Sequence, residues 1–184
     1  MPVWSSLSSG VGGRGYTEGK LYEDTYFDRN VQGALDAGLA VGAYFFSQAI
    51  TVEEALEEAR FVLERVRDYD LTMPVVFDWE HIEGVEEARS NQVDTETVTA
   101  CAVAFCDRIA QAGYQTAFYC NGMLGYLHYD LSQLERYDAW YAEYASWPSF
   151  AYASISGSIP TPATVAGIGR NVDLDSGSRP RAED

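Results

Sequence analysis

The chain has 184 residues, a formal net charge of −16 and a pI near 4.3, with 47% hydrophobic and 14% aromatic residues. This is the composition of a globular domain large enough for a substantial core, and it excludes a disordered chain. The negative charge argues against binding through nucleic-acid phosphates or anionic membrane surfaces, and no apolar run approaches the roughly 20 residues that cross a bilayer.

Residues 1–23 are rich in serine and glycine. A short strand is expected around residues 3–7, and residues 8–15 read as a loop. That loop contains Gly10-x-Gly12-x-x-Gly15, but without a strand-to-helix junction around it the pattern is a weak sign of phosphate binding. Met1-Pro2-Val3-Trp4 has neither the basic region nor the apolar core of a signal peptide. A helix is predicted over residues 24–37, with Phe27, Val31, Ala34 and Leu35 on one side and Gly38 as its stop. Residues 39–46 read as a strand. Thr51-x-x-Glu54 is a capping box, and the helix it opens carries Val52, Ala55, Leu56, Ala59, Val62, Leu63 and Val66 on one face.

Met73-Pro74-Val75-Val76-Phe77-Asp78-Trp79-Glu80 follows, with the look of a strand buried on both faces. Alternation puts Asp78 and Glu80 on one side of its end and Trp79 on the other. Mutual repulsion should raise one of the two carboxyl pKa values. One acid kept protonated beside one kept ionised is what glycosidic bond cleavage requires. With 28 acidic residues in the chain, a chance pair stays open beside the catalytic reading.

A further helix starts at Asp94 or Thr95, aligns Val98, Cys101, Ala102, Phe105 and Ile109, and ends at Gly113. A strand over residues 115–120 is turned by Asn121-Gly122, a short helix spans 131–137, and a strand spans 138–144. Beyond Pro148 the rhythm stops until a last short strand near residues 171–174. Strands and helices alternate with connections too long for hairpins, which predicts parallel strands, right-handed crossovers and an α/β fold. Cys101, Cys106 and Cys120 read as buried free thiols. His81 and His128 have no metal-ligand spacing with them, so no metal is expected. His81 follows Glu80 and is either a neighbour of the site or a solvated loop residue.

In an α/β barrel the functional residues sit at the carboxyl ends of the strands. Those ends supply Tyr44 and Phe46, Asp78 and Glu80, Tyr119 and Asn121, Trp140 and Tyr144, and Asp173. Carboxylates ringed by aromatic residues and an amide suit a carbohydrate.

Val41-Gly42-Ala43-Tyr44-Phe45-Phe46-Ser47, Pro74-Val75-Val76-Phe77-Asp78-Trp79-Glu80, Phe118-Tyr119-Cys120-Asn121, Trp140-Tyr141-Ala142-Glu143-Tyr144 and Val172-Asp173-Leu174-Asp175 together resemble glycoside hydrolase family 25, the muramidases often called Chalaropsis-type lysozymes. The resemblance implies an irregular TIM-like β/α barrel. It implies hydrolysis of the β-1,4 bond from N-acetylmuramic acid to N-acetylglucosamine in peptidoglycan, with no metal and no organic cofactor. Glu80 would be the general acid. Asp78 would be the second carboxylate, orienting the substrate's acetamido group or stabilising charge at the anomeric carbon. Asp173 matches a further acid of the cleft, and Tyr44, Phe46, Tyr119, Asn121, Trp140 and Tyr144 match cleft-lining positions or stand beside them. The expected partner is the peptidoglycan glycan strand, met by a monomer outside the cell or at the wall, with no nucleic acid and no membrane. The catalytic domain is expected over residues 1–176, with a polar tail over 177–184.

Two departures from the family pattern qualify this. Its opening strand, of the form Gly-x-Asp-Val-Ser, has no match, so the expected barrel is N-terminally truncated and open. Where relatives read Phe-Asp-Ile-Trp-Gln-Tyr-Thr, this chain has Ser154-Ile155-Ser156-Gly157-Ser158-Ile159-Pro160. Back-translated with suitably chosen synonymous codons, the relatives' peptide read one base later gives residues 154–160, which suggests compensating frameshifts near residues 151 and 165. The alternatives are therefore a catalytically defective muramidase-like fragment, or a chitinase-like glycosidase, whose family also ends a barrel strand in Asp-Trp-Glu.

Overall fold

A computed structural model describes residues 6–142, 158–163 and 172–177. The main sheet holds β1 (Ser6–Arg14), β2 (Leu21–Glu23), β3 (Ala40–Ser47), β4 (Val75–Trp79), β5 (Thr116–Cys120) and β6 (Asp138–Tyr141). Their order is β2-β1-β3-β4-β5-β6, parallel throughout except that β2 runs antiparallel to β1. The connecting helices are α1 (Phe27–Asp36), α2 (Val52–Val66) and α3 (Thr95–Gln111). A separate antiparallel pair is formed by β7 (Ser158–Ala163) and β8 (Val172–Gly177). The α/β class and the parallel strands agree with the expectation. Among the described residues no helix is long and apolar enough to cross a membrane.

The three long helices form where predicted. The Thr51 side chain accepts from the Glu54 backbone N–H at 3.3 Å, and Asp94 does the same for Thr97 at 2.7 Å. The return arm of the Thr51 box is displaced by one residue, because the Glu54 carboxylate accepts from the N–H of Ile50 at 3.0 Å. Gly38 and Gly113, at φ +71° and +92°, supply the left-handed residues after α1 and α3.

The sheet has two unlike faces. Phe45, Phe77 and Phe118 point to the helices and join Val31, Ala59, Val62, Phe105 and Ile109 in one buried core. Phe77 meets Phe105 with ring centroids 5.3 Å apart. Each such side chain is worth roughly 1.5–3 kcal/mol on burial. On the opposite face the register sets Tyr44 beside Val76, Phe46 beside Asp78 and Tyr119 beside Trp140.

Several expectations are corrected. The serine- and glycine-rich stretch is a strand inside the sheet, not a loop, because neighbouring rings lie across it. A Cβ on Gly10 would stand 3.0 Å from the Tyr44 ring, and one on Gly13 would stand 2.6 Å from the Tyr22 hydroxyl. Gly12, at φ +151°, follows a bulge at which the β1–β3 register shifts. Asn121-Gly122 is not a turn: the Asn121 side chain caps a short helix, α4 (Gly122–Leu127). The helix expected over 131–137 is only a 3₁₀ turn, Leu131–Gln133, where Asp130 takes up the local N–H of Ser132. β2 and β7 had no counterpart in the sequence reading. β7 carries Pro160 and Pro162, which a two-stranded pair admits because each strand has an open edge. Tyr144, the polar tail beyond residue 177 and most of the 151–165 window lie outside the described residues.

Candidate active site

All five residues of β4 are buried, and Glu80 stands one residue beyond its end, partly exposed. Asp78 is 7% exposed, so solvent hardly reaches it, and its Oδ1 has no hydrogen-bond partner. Burial holds its carboxyl well above the ordinary range, and the charge of Glu80 pushes the same way. Glu80 is also raised, by burial. Mutual repulsion is expected to raise one of the two; both are raised, and the like-charge effect falls on Asp78. The deeper group cannot be hydrated, so it is the one that resists ionising beside a charge.

Around this pair stand aromatic side chains from the strands on either side. Trp140 packs between Tyr44 and Tyr119, at centroid distances of 5.9 and 5.6 Å. Phe46 is the register neighbour of Asp78 on β3. The structure therefore brings together Asp78, Glu80, Tyr44, Phe46, Tyr119 and Trp140. Asn121 follows the end of β5, and its Oδ1 accepts from the N–H of Leu124 at 2.9 Å. Asp173 is placed in β8 opposite Pro162.

Tyr22 was missed. It is 49% exposed, with its ring across Gly13 on the Phe46 side of the cleft. Burial and then nearby charges, Asp78 among them, push the Tyr22 and Tyr44 hydroxyls up. A three-residue strand shows no periodicity, so only the closely spaced glycines facing it could have betrayed a ring lying there.

His81 packs toward His128 and Trp79, on the side of β4 away from the carboxyl pair. Its ring is 5.6 Å from that of His128, which is itself 5.6 Å from Trp79. Among the described residues no three His, Cys, Asp or Glu side chains are grouped to hold a metal. The cysteines are free and buried, and burial pushes each thiol up to about 12. Buried free thiols are what the sequence leads one to expect.

A polar shell supports the strand ends. Arg14 is sealed in, donating from Nε to Glu58 at 2.7 Å and from its terminal nitrogens to Glu57 at 2.7 Å and to the Gly19 carbonyl at 2.6 Å. Ser47 donates to the other Glu58 oxygen at 2.6 Å. Glu58 lies fully buried on the inward face of α2, and burial pushes it up to about 7 against the opposing pull of Ser47 and Arg14. Two further buried side chains, Gln48 and Ser90, reach the peptide carbonyl of Glu80. The arrangement can hold a proton on one carboxyl, present it at an aromatic cleft and keep a second carboxyl beneath.

The profile of the family described as "Glycosyl hydrolases family 25" matches residues 14–159. No curated protein sequence matches the chain. Among solved structures it is similar to the modular autolysin LytC from Streptococcus pneumoniae, with 22% identity and a TM-score of 0.76 over 93% of this chain and 40% of that one. It is similar to the spore cortex lytic enzyme SleM of Clostridium perfringens, with 19% identity and a TM-score of 0.73 over 93% and 59%. A muramidase from Acremonium alcalophilum gives 16% identity and a TM-score of 0.72 over 95% and 83%. The chain thus spans less than two thirds of the two bacterial proteins.

Proposed function

The chain belongs to glycosyl hydrolases family 25, and from that premise we propose that it cleaves the β-1,4 bond between N-acetylmuramic acid and N-acetylglucosamine in peptidoglycan. The observation that carries this reading is the unequal carboxyl pair at the end of β4, with Asp78 sealed and Glu80 one residue further out at the cleft. Only Glu80 stands where a bulky glycosidic oxygen can come. Burial raises both carboxyls, and the charge of Glu80 raises Asp78 further, so a proton is held above the usual carboxylate range. An acetamido N–H or developing positive charge next to Asp78 favours its ionised form and leaves the proton on Glu80. Glu80 then protonates the leaving oxygen as the glycosidic bond breaks, and Asp78 steadies the acetamido group or the anomeric carbon.

Tyr44, Phe46, Tyr119 and Trp140 offer faces for sugar rings, and Asn121 and Tyr144 are proposed to line the same cleft. Asp173 is proposed as its further acid. The glycan strand is the partner of a monomeric domain over residues 1–176, acting at the wall. The names of the similar proteins, an autolysin, a cortex-lytic enzyme and a muramidase, support the same substrate.

The test is digestion of purified peptidoglycan, with borohydride reduction of the new ends. Muramitol at those ends is expected. Glucosaminitol would refute the bond assignment, release from chitin alone would favour the chitinase-like reading, and no release would favour the defective fragment.

A further inference from the structure

Glu80 lies where the sheet no longer holds the chain. Pairing of β4 with β3 stops at Ser47 opposite Trp79, and pairing with β5 stops earlier, at Phe118 opposite Phe77. A carboxyl on an unpaired peptide would swing with it. Two side chains take over from the ladder. Gln48, the residue after β3, is fully buried. Its Nε2 donates to the carbonyl of Ser47 at 2.9 Å and to the carbonyl of Glu80 at 3.1 Å. Its Oε1 accepts from the Ser90 hydroxyl at 2.5 Å. The two carbonyls only accept, so they fix the nitrogen end of the amide toward Glu80, and the Ser90 hydroxyl holds the oxygen end. Ser90 is itself fully buried, and its Oγ lies 3.4 Å from the Glu80 carbonyl.

The 3₁₀ turn that carries Ser90, Arg89–Gln92, also anchors the chain leaving the site. Asn91 accepts from the N–H of Ile82 at 2.8 Å and donates to the carbonyls of Ile82 at 2.8 Å and Val85 at 3.2 Å. A buried amide with every polar atom engaged specifies one geometry, which an apolar residue of the same size would not.

We propose that Gln48, held by Ser90, is a positioning residue for Glu80: it clamps the Glu80 peptide and so aims the carboxyl at the glycosidic oxygen. The inference rests on the reading of Glu80 as the general acid.

The experiment compares two substrates. Peptidoglycan has a poor leaving group that needs a proton, whereas a dinitrophenyl glycoside of the same sugar departs without one. Gln48→Met, close in volume, is expected to lower kcat on peptidoglycan roughly 10- to 100-fold at nearly constant KM. Turnover of the dinitrophenyl glycoside should stay close to that of the unaltered protein. Ser90→Ala removes the donor that holds the Gln48 oxygen, should show the same selective loss to a smaller degree, and decides the matter if Gln48→Met does not fold. Equal losses on both substrates, or no loss on either, overturn the clamp. Glu80→Gln is measured on the same pair. If it loses neither substrate selectively, the reading of Glu80 falls and takes the clamp with it. If it does lose peptidoglycan selectively and Gln48→Met does not, only the clamp falls.

Discussion

Gly12→Ala should destabilise the domain more than a single methyl group ordinarily can. Gly12 has φ +151°, which alanine adopts only with strain, of order 1–3 kcal/mol. Its new Cβ would stand 2.1 Å from the carbonyl oxygen of Tyr22 and 3.0 Å from the Cα of Glu23. These are backbone atoms of the paired strand, so no side chain can rotate away. The pairing of Gly12 with Glu23 must open, at about 1–3 kcal/mol for overpacking. The sum is about 2–6 kcal/mol against the roughly 5–15 kcal/mol that holds a domain together. For a chain of this size each kcal/mol moves the midpoint by roughly 2–4 °C, so a fall on the order of 10 °C is expected in calorimetry. Gly33→Ala is the control. It sits inside α1 with nothing within 4 Å of its added Cβ, and should gain about 0.5–1 kcal/mol. If Gly12→Ala melts with the unaltered protein, the account of β1 as a strand kept bare by its neighbours is wrong.

Glu80→Gln should lower release of reducing ends from peptidoglycan by at least roughly 100-fold, the lower end of general-acid contributions, while the fold and melting point persist. Asp78→Asn should stabilise at neutral pH. The Asp78 pKa is raised in the folded state, so the folded protein binds the proton more tightly than the unfolded chain, and stability falls as pH rises from the unfolded value through the folded one. The advantage of the Asn variant should thus be absent near pH 3 and grow on the way to neutrality, and a gap independent of pH would refute the burial argument. Glu58 has the same sign. From its ordinary 4.5 to about 7, at about 1.36 kcal/mol per pH unit, it should cost about 3 kcal/mol of stability that is present in acid and gone at neutral pH. Denaturant titrations of the protein and of Glu58→Gln at pH 4.5 and 7 should show that fall in the former and a smaller one in the latter.

The elements that declared themselves in the sequence are those whose own side chains decide them. α2 and α3 have a helical repeat and a cap, and β4 is an unbroken apolar run, so each appears where expected. β1 does not declare itself, because its glycines are selected by the rings of Tyr44 and Tyr22 from other strands. Composition alone cannot separate a strand kept bare for a neighbour from a flexible loop. Glu58 hid for a related reason: it interrupts an apolar helix face, and only the position of Arg14, at the end of β1, explains why an acid belongs there. At the site, period-two alternation placed Asp78 and Glu80 on one side of the strand. It carries no information about depth, and depth is what makes Asp78 the more strongly perturbed acid.

In the run β1-β3-β4-β5-β6 spatial order and chain order coincide. Each strand in that run docks on the edge left by the strand before it, and no pairing waits for a segment from much further along the chain. Loop closure in such a sheet is confined to one crossover at a time, which keeps its entropic cost low. We expect growth from the amino-terminal side, with β1 and β3 supplying a template before β4 arrives. The carboxyl pair would then be set on a half-built sheet, and Trp140 on β6 would be among the last of the cleft side chains to reach its place. A chain emerging from a ribosome would hold its acids before it holds the wall that dries them, and so would mature from wet to dry along its own length.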